Sequence, residues 1–258
     1  VPLVVYPKML ENNIAYVYLE DFSGHTISEF KTALQDLKKQ GMESLILDLR
    51  FNPGGTLDSA IDLAKTFIGE NKLIVYTKGR KEEYFKEYKS GEKALYPDLP
   101  IVLLVNEISA SGSEIVAGAL QDHKRALLVG TRTFGKGSVQ QISTLADGSS
   151  LKLTVAKYYT PLGRMIHRDF KKKGPNTAGI LPDIVVNADL NTAKSAVLQR
   201  TTLIYSPSKK TATIEGKEIN DEQLNRAVEF LKARKVLGAL NIDEIKAQDA
   251  QKQKVKEA

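Results

Sequence analysis

Twice in this chain a short apolar run leads through a small-residue turn into a helical pattern, which restricts the fold to one built on a buried parallel sheet. Ser44–Leu49 is a mostly apolar run of the kind that a strand covered on both faces requires. It passes into Phe51-Asn52-Pro53-Gly54-Gly55 and then a helical pattern over Leu57–Phe67. Ile101–Val105 repeats the arrangement ahead of Ser109-Ala110-Ser111-Gly112-Ser113-Glu114 and a helix over Ser113–Gln121, with Ile115, Val116, Ala119 and Leu120 inward. Strand, crossover and strand in succession predict an α/β fold.

The remaining segments fit that scheme. Strands are predicted at Leu3–Tyr6, Ile14–Tyr18, Leu73–Thr77, Ala126–Val129 and Ser150–Tyr159. The spacing of Ile27, Phe30, Leu34 and Leu37 predicts a helix over Thr26–Gln40, capped by Thr26 and closed by Gly41. Lys78–Lys93 reads as a solvated connection or hairpin, Thr201–Glu218 as a hairpin turning at Gly216, and Glu222–Arg234 as a helix. The tail from Ala247 reads as solvated.

Composition removes whole classes of function. With 42% apolar and 26% charged residues in 258, the chain is suited to a folded globular domain and not to a disordered tail. Its net charge of +6 comes from basic residues interleaved with acidic ones, which argues against a nucleic-acid surface. The absence of cysteine excludes disulfides, thiolate metal sites and a cysteine nucleophile. No apolar run reaches the roughly 18 residues of a membrane span, and no signal-peptide pattern opens the chain. A first residue of Val1 suggests a mature or excised fragment.

The chemistry lies between residues 106 and 140. Ser111 follows a buried strand and opens a helix, where backbone N–H groups converge on developing negative charge. Ser109 and Ser113 share that setting, and any of the three suits a helix cap. Lys136 is framed by Gly135 and Gly137, with Phe134, Val139 and Gln140 nearby. A lysine serves as a general base only when neutral, a form favoured by removal of water. Serine and lysine together make a nucleophile and its base without histidine. The N–H of Gly112 and one from the Gly54-Gly55 turn are candidate oxyanion donors. Asp48 and Arg50, on one strand face, read as braces for that turn, and Glu114 as a helix-stabilising first-turn acid.

Five blocks in order carry a resemblance that covers most of the chain: Leu47–Gly55, Asn106–Gly118, Val129–Gln140, Tyr159–Arg164 and Gly179–Asp183. Together they resemble the protease core of the carboxyl-terminal processing (tail-specific) peptidases, whose β-β-α superhelical core is like that of crotonases and Clp proteases. The resemblance implies Ser111 as nucleophile, Lys136 as base 25 residues later, and Gln140 as its assistant. It implies oxyanion donors from Gly112 and the Gly54-Gly55 turn, acyl transfer without cofactor or metal, and an extracytoplasmic setting such as the periplasm. Implied partners are proteins with unstructured C-terminal tails, pairing with a sheet edge such as Leu151–Tyr158; a homodimer is a further expectation. Gly112 and Phe51 stand where that family often has alanine and asparagine.

The expected organisation is a protease core over 1–187 and a C-terminal extension over 188–258, with no stretch ahead of the core long enough for the PDZ domain these proteases usually carry. Three rival readings remain. A phosphate-binding loop fits Gly130–Lys136 but has Gly137 where serine or threonine would hold Mg²⁺. A Ser-His-Asp hydrolase would need His25, His123 or His167, without a GxSxG elbow. A silent scaffold of the same fold is the third.

Overall fold

The computed structural model describes residues 5–91, 93–169, 178–205 and 219–239. Its larger sheet has strand order β1 (Val5–Met9), β2 (Ile14–Leu19), β3 (Ser44–Asp48), β6 (Ile101–Val105), β7 (Leu127–Gly130) and β10 (Ile184–Val185). Only the β1–β2 pair is antiparallel. The parallel strands are joined through α1 (Thr26–Lys39), α2 (Leu57–Lys65) and α3 (Gly112–Asp122), as the α/β pattern requires.

The apolar runs are explained by burial on both faces of this sheet. Ala15, Val17, Leu45, Leu47, Leu103 and Val105 pack with Phe30, Leu34, Leu63 and Val116 of α1, α2 and α3. The alternate residues Ile14, Tyr16, Ile46, Val102 and Leu104 face the other way. They are covered by Val197 of α4 (Leu190–Tyr205) and by Leu224, Ala227 and Leu231 of α5 (Glu222–Ala239). Each of the valine, leucine, isoleucine and phenylalanine side chains among them contributes about 1.5–3 kcal/mol when fully buried.

A second, antiparallel sheet has the order β5 (Lys86–Lys89), β4 (Leu73–Gly79), β9 (Ser150–Tyr159) and β8 (Ser138–Thr144). The β8–β9 ribbon stands away from the body: every residue from Gln140 to Thr154 is exposed, Ile142 and Leu153 included.

Several expectations are corrected. Thr201–Tyr205 continues α4 instead of opening a hairpin, while 206–218 and the tail from Ala247 lie outside the described residues. Thr26 is the first residue of α1, preceded by His25 as its cap, and its hydroxyl reaches back to Asp21 O. The expected sheet edge at Leu151–Tyr158 is interior, since β9 pairs with β8 and, over Ala156–Tyr159, with β4; β5 and β8 are the edges of this sheet.

Candidate active site

Between β6 and α3 the chain makes one turn that separates the three serines by environment. Ser109 Oγ donates to Leu49 O and accepts the Asn106 N–H, and Ser113 Oγ donates to Asn52 O; both residues are fully buried. These two hydroxyls hold the turn after β6 against the turn after β3. Ser111 alone is half-buried, at the N-cap of α3. Its backbone has φ 54° and ψ −112°, a conformation that costs a non-glycine residue about 1–3 kcal/mol. That strain is held by the neighbouring bonds, among them Ala110 N–H to Asn52 O at 3.0 Å.

Glu114 sets where the lysine loop lies. Its side chain is fully buried, and its carboxylate accepts four donors. Oε2 takes the N–H groups of Ser111 at 2.9 Å and of Lys136 at 2.8 Å. Oε1 takes the Gly135 N–H and the Thr133 hydroxyl, each at 2.6 Å. One oxygen shared by two amides keeps the main chains of residues 111 and 136 side by side, and Phe134 N–H to Ser109 O adds a parallel tie. Burial pushes the Glu114 carboxyl above the usual carboxylate range, and those four hydrogen bonds oppose the rise without cancelling it. Sequence reasoning assigned Glu114 only a helix-end role; the signal it lacked was the spatial nearness of the 133–136 loop.

The glycines framing Lys136 are there for contact. A Cβ on Gly137 would lie 2.5 Å from His167 N, so the lysine loop packs main chain to main chain against residues 166–168. Lys136 and Gln140 themselves are exposed. The expected apolar burial of Lys136 is therefore corrected, because the ribbon that starts at Ser138 projects into solvent. Strand β8 following the loop also removes the phosphate-binding reading, which needs a helix there.

The Pro53-Gly54-Gly55 turn lies directly against the serine. A Cβ on Gly54, at φ +94°, would come within 2.6 Å of Ala110 O, 2.7 Å of Gly112 N and 2.8 Å of Ser111 Cβ. The Gly54 N–H is engaged by Asn52 Oδ1 at 2.8 Å. Among the described residues the N–H groups of Gly55 and Gly112 have no acceptor, and a Cβ on Gly112 would lie 3.5 Å from Gly55 N. Two amides without partners therefore flank the strained serine, the arrangement that binds an oxyanion. Gly54→Ala is expected to cost about 2–4 kcal/mol through its positive φ and the clash. Its Tm should fall by about 5–15 °C, whereas Gly69→Ala, with nothing within 4 Å, should shift Tm far less.

The three histidines do not assemble a triad. His123 Nε2 is bonded to Leu73 O at 2.6 Å, His25 stands at the N-cap position of α1 with no capping bond from its ring, and the His167 ring is held below its usual pKa by burial and by Lys157, against the opposing pull of Asp169.

The family model described as Peptidase family S41 matches residues 13–186. The chain belongs to that family. A carboxyl-terminal-processing protease of Picosynechococcus sp. is 44% identical over 185 residues, which is 70% of this chain and 42% of that protein. A carboxy-terminal processing protease of Bacillus subtilis is 41% identical over 181 residues, 69% of this chain and 38% of that protein. The chain thus spans about two fifths of the length of these relatives. A solved photosystem II D1 C-terminal processing protease aligns with TM-score 0.62 at 29% identity, over 80% of this chain and 48% of its own. The S41 chain described here shares the α/β fold of these proteins. Among its described residues no helix is long and apolar enough to cross a membrane.

Proposed function

We propose that this chain carries the catalytic machinery of a serine endopeptidase that processes proteins near their C-terminal tails. Ser111 is the nucleophile, Lys136 the general base, Gln140 the residue that orients the lysine, and Gly112 with Gly55 the oxyanion donors. The observation that supports this reading most is the Glu114 oxygen shared by the Ser111 and Lys136 amides.

In the reaction neutral Lys136 takes the Ser111 proton as Oγ bonds to the peptide carbonyl carbon. The carbonyl oxygen becomes an oxyanion held by the two glycine N–H groups. The lysinium then protonates the departing amine as the C–N bond breaks, leaving an acyl-serine. Water, deprotonated by the same lysine, adds to the ester and releases the new C-terminus and the serine. An extended substrate that adds to the free edge of β8 begins next to Lys136 and covers it, which supplies the loss of water that the isolated chain does not provide. The relatives' names state carboxyl-terminal processing, and on that ground the proposed substrates are proteins with accessible C-terminal tails; an extracytoplasmic setting and a homodimer are further parts of the proposal.

Incubation with reduced, unfolded casein tests the reading. The chain should release peptides and Ser111→Ala should not, while a fluorophosphonate should add its mass to the Ser111 peptide of the parent alone. Equal cleavage by both chains, or an adduct elsewhere, would remove Ser111 as nucleophile. No cleavage by the parent would favour the silent scaffold.

A further inference from the structure

The FNPGG turn that flanks Ser111 begins one residue after a charge cluster whose partners come from the C-terminal helices. Arg50 is completely buried, and its fork is held from two sides. Nε and Nη2 donate to the Asp48 carboxylate, with Nη2 at 2.6 Å from Oδ2. Nη1 and Nη2 donate to Asp221 Oδ1 and Oδ2 at 2.8 and 2.9 Å, a bidentate pair, and Nη1 also donates to Gln223 Oε1. Arg200 adds a bond to Asp221 Oδ2 at 3.2 Å, and Tyr16 OH donates to Asp48 Oδ2 at 2.8 Å. Two arginines against two aspartates leave the cluster neutral, which burial demands.

The cluster is joined to the turn by a short, continuous path. Arg50 N–H is on Asp48 Oδ1, and the next residue, Phe51, is at φ 63° with its N–H on Asn106 Oδ1. Asn52 then uses Oδ1 for the Gly54 N–H, Nδ2 for Leu19 O, and its carbonyl for Ala110 N–H and the Ser113 hydroxyl. Arg200, Asp221 and Gln223 all lie outside the span 13–186 that the S41 family model matches. Without them the strand end at Arg50 would hold a buried guanidinium with half of its acceptors.

We propose that Asp221 is a positioning residue for the oxyanion turn, fixing Arg50 and thereby the placement of the Gly55 N–H against Ser111. The C-terminal helices are in this view part of the catalytic unit and not an appendage to it. The proposal rests on the endopeptidase reading for its effect on rate; the mechanical link from Asp221 to the turn does not.

The full chain with Asp221→Asn tests it, since the amide keeps the shape, removes one negative charge and turns a donor toward Arg50. With casein as substrate, below the melting range, kcat should fall about tenfold or more with KM within about twofold, because a displaced donor weakens the transition state and not the bound substrate. Asp221→Glu, which retains the charge but displaces it, should show the same split in smaller measure and covers the case in which Asp221→Asn does not fold. Lys232→Gln, which removes the exposed α5 pair with Glu11, should leave kcat unchanged. Amide hydrogen exchange over residues 51–55 should quicken at least about tenfold in the Asp221 variants and not in Lys232→Gln. Folded Asp221 variants with parental kcat and parental exchange would overturn the proposal, as would a rate loss that only follows the folded fraction. If the parent lacks peptidase activity, the endopeptidase reading fails on its own, and the exchange measurement still decides the link.

Discussion

Lys136→Ala is expected to leave a well-folded protein whose cleavage of unfolded casein is lower by about 10³-fold or more, the scale set by loss of a base that acts as a unit with its nucleophile. The fold should survive because the Lys136 side chain is exposed, and exposed substitutions away from special features stay within about 0.5 kcal/mol. The main-chain bond from residue 136 to Glu114 Oε2 is unaffected by the side chain. Lys136→Arg separates base from charge: guanidinium keeps the positive charge but cannot be deprotonated in a protein, so it should be as inactive as the alanine variant. Retention of a tenth of the rate by Lys136→Arg would end the assignment of Lys136 as the base.

Glu114→Gln is expected to damage both stability and rate. The carboxylate accepts four donors, and an amide in its place turns an NH₂ toward at least one of the amides of Ser111, Gly135 and Lys136. Leaving such buried donors unpaired should cost about 2–4 kcal/mol and lower Tm by about 5–15 °C. At temperatures where it is folded, the loosened register between residues 111 and 136 should lower kcat by about 10²-fold. Acidity provides an independent check. Because burial holds the folded Glu114 carboxyl above its ordinary value, the folded chain binds more protons than the unfolded one between that value and the raised one. The contribution of this group to stability is therefore largest at low pH and declines as pH rises through that window. The Tm advantage of the parent over Glu114→Gln should shrink accordingly across it. An advantage that grows with pH over the same range would show that burial does not raise this carboxyl.

Much of the fold is legible in local pattern because a strand buried on two faces must be apolar throughout. The runs at 44–49 and 101–105 became β3 and β6 at the centre of the sheet, and the alternation at 150–159 became β9. Thr201–Tyr205 misled because β-branched residues near a helix end resemble a strand, and burial of Val197 and Thr201 decided otherwise. The candidate site divides in the same way. Small residues after β6 and glycines around Lys136 mark close approach of main chains, which any sequence shows as a shortage of side chains. Which serine remains available was settled elsewhere, by Leu49 O and Asn52 O, which engage Ser109 and Ser113. The choice between Gly54 and Gly55 as donor likewise depends on where Asn52 Oδ1 points.

Sequence alone determined the α/β class and the family-like blocks, which are carried by residue type and short-range spacing, and its resemblance pointed to Ser111 and Lys136 as the pair to propose. Only the tertiary structure decided that Glu114 joins the two halves of the site, that Lys136 is exposed, and that Arg50 finds its second carboxylate in Asp221. Those outcomes depend on contacts between residues 21 to 171 positions apart, and hydrogen bonds and burial at such separations leave no local periodicity by which a sequence could announce them.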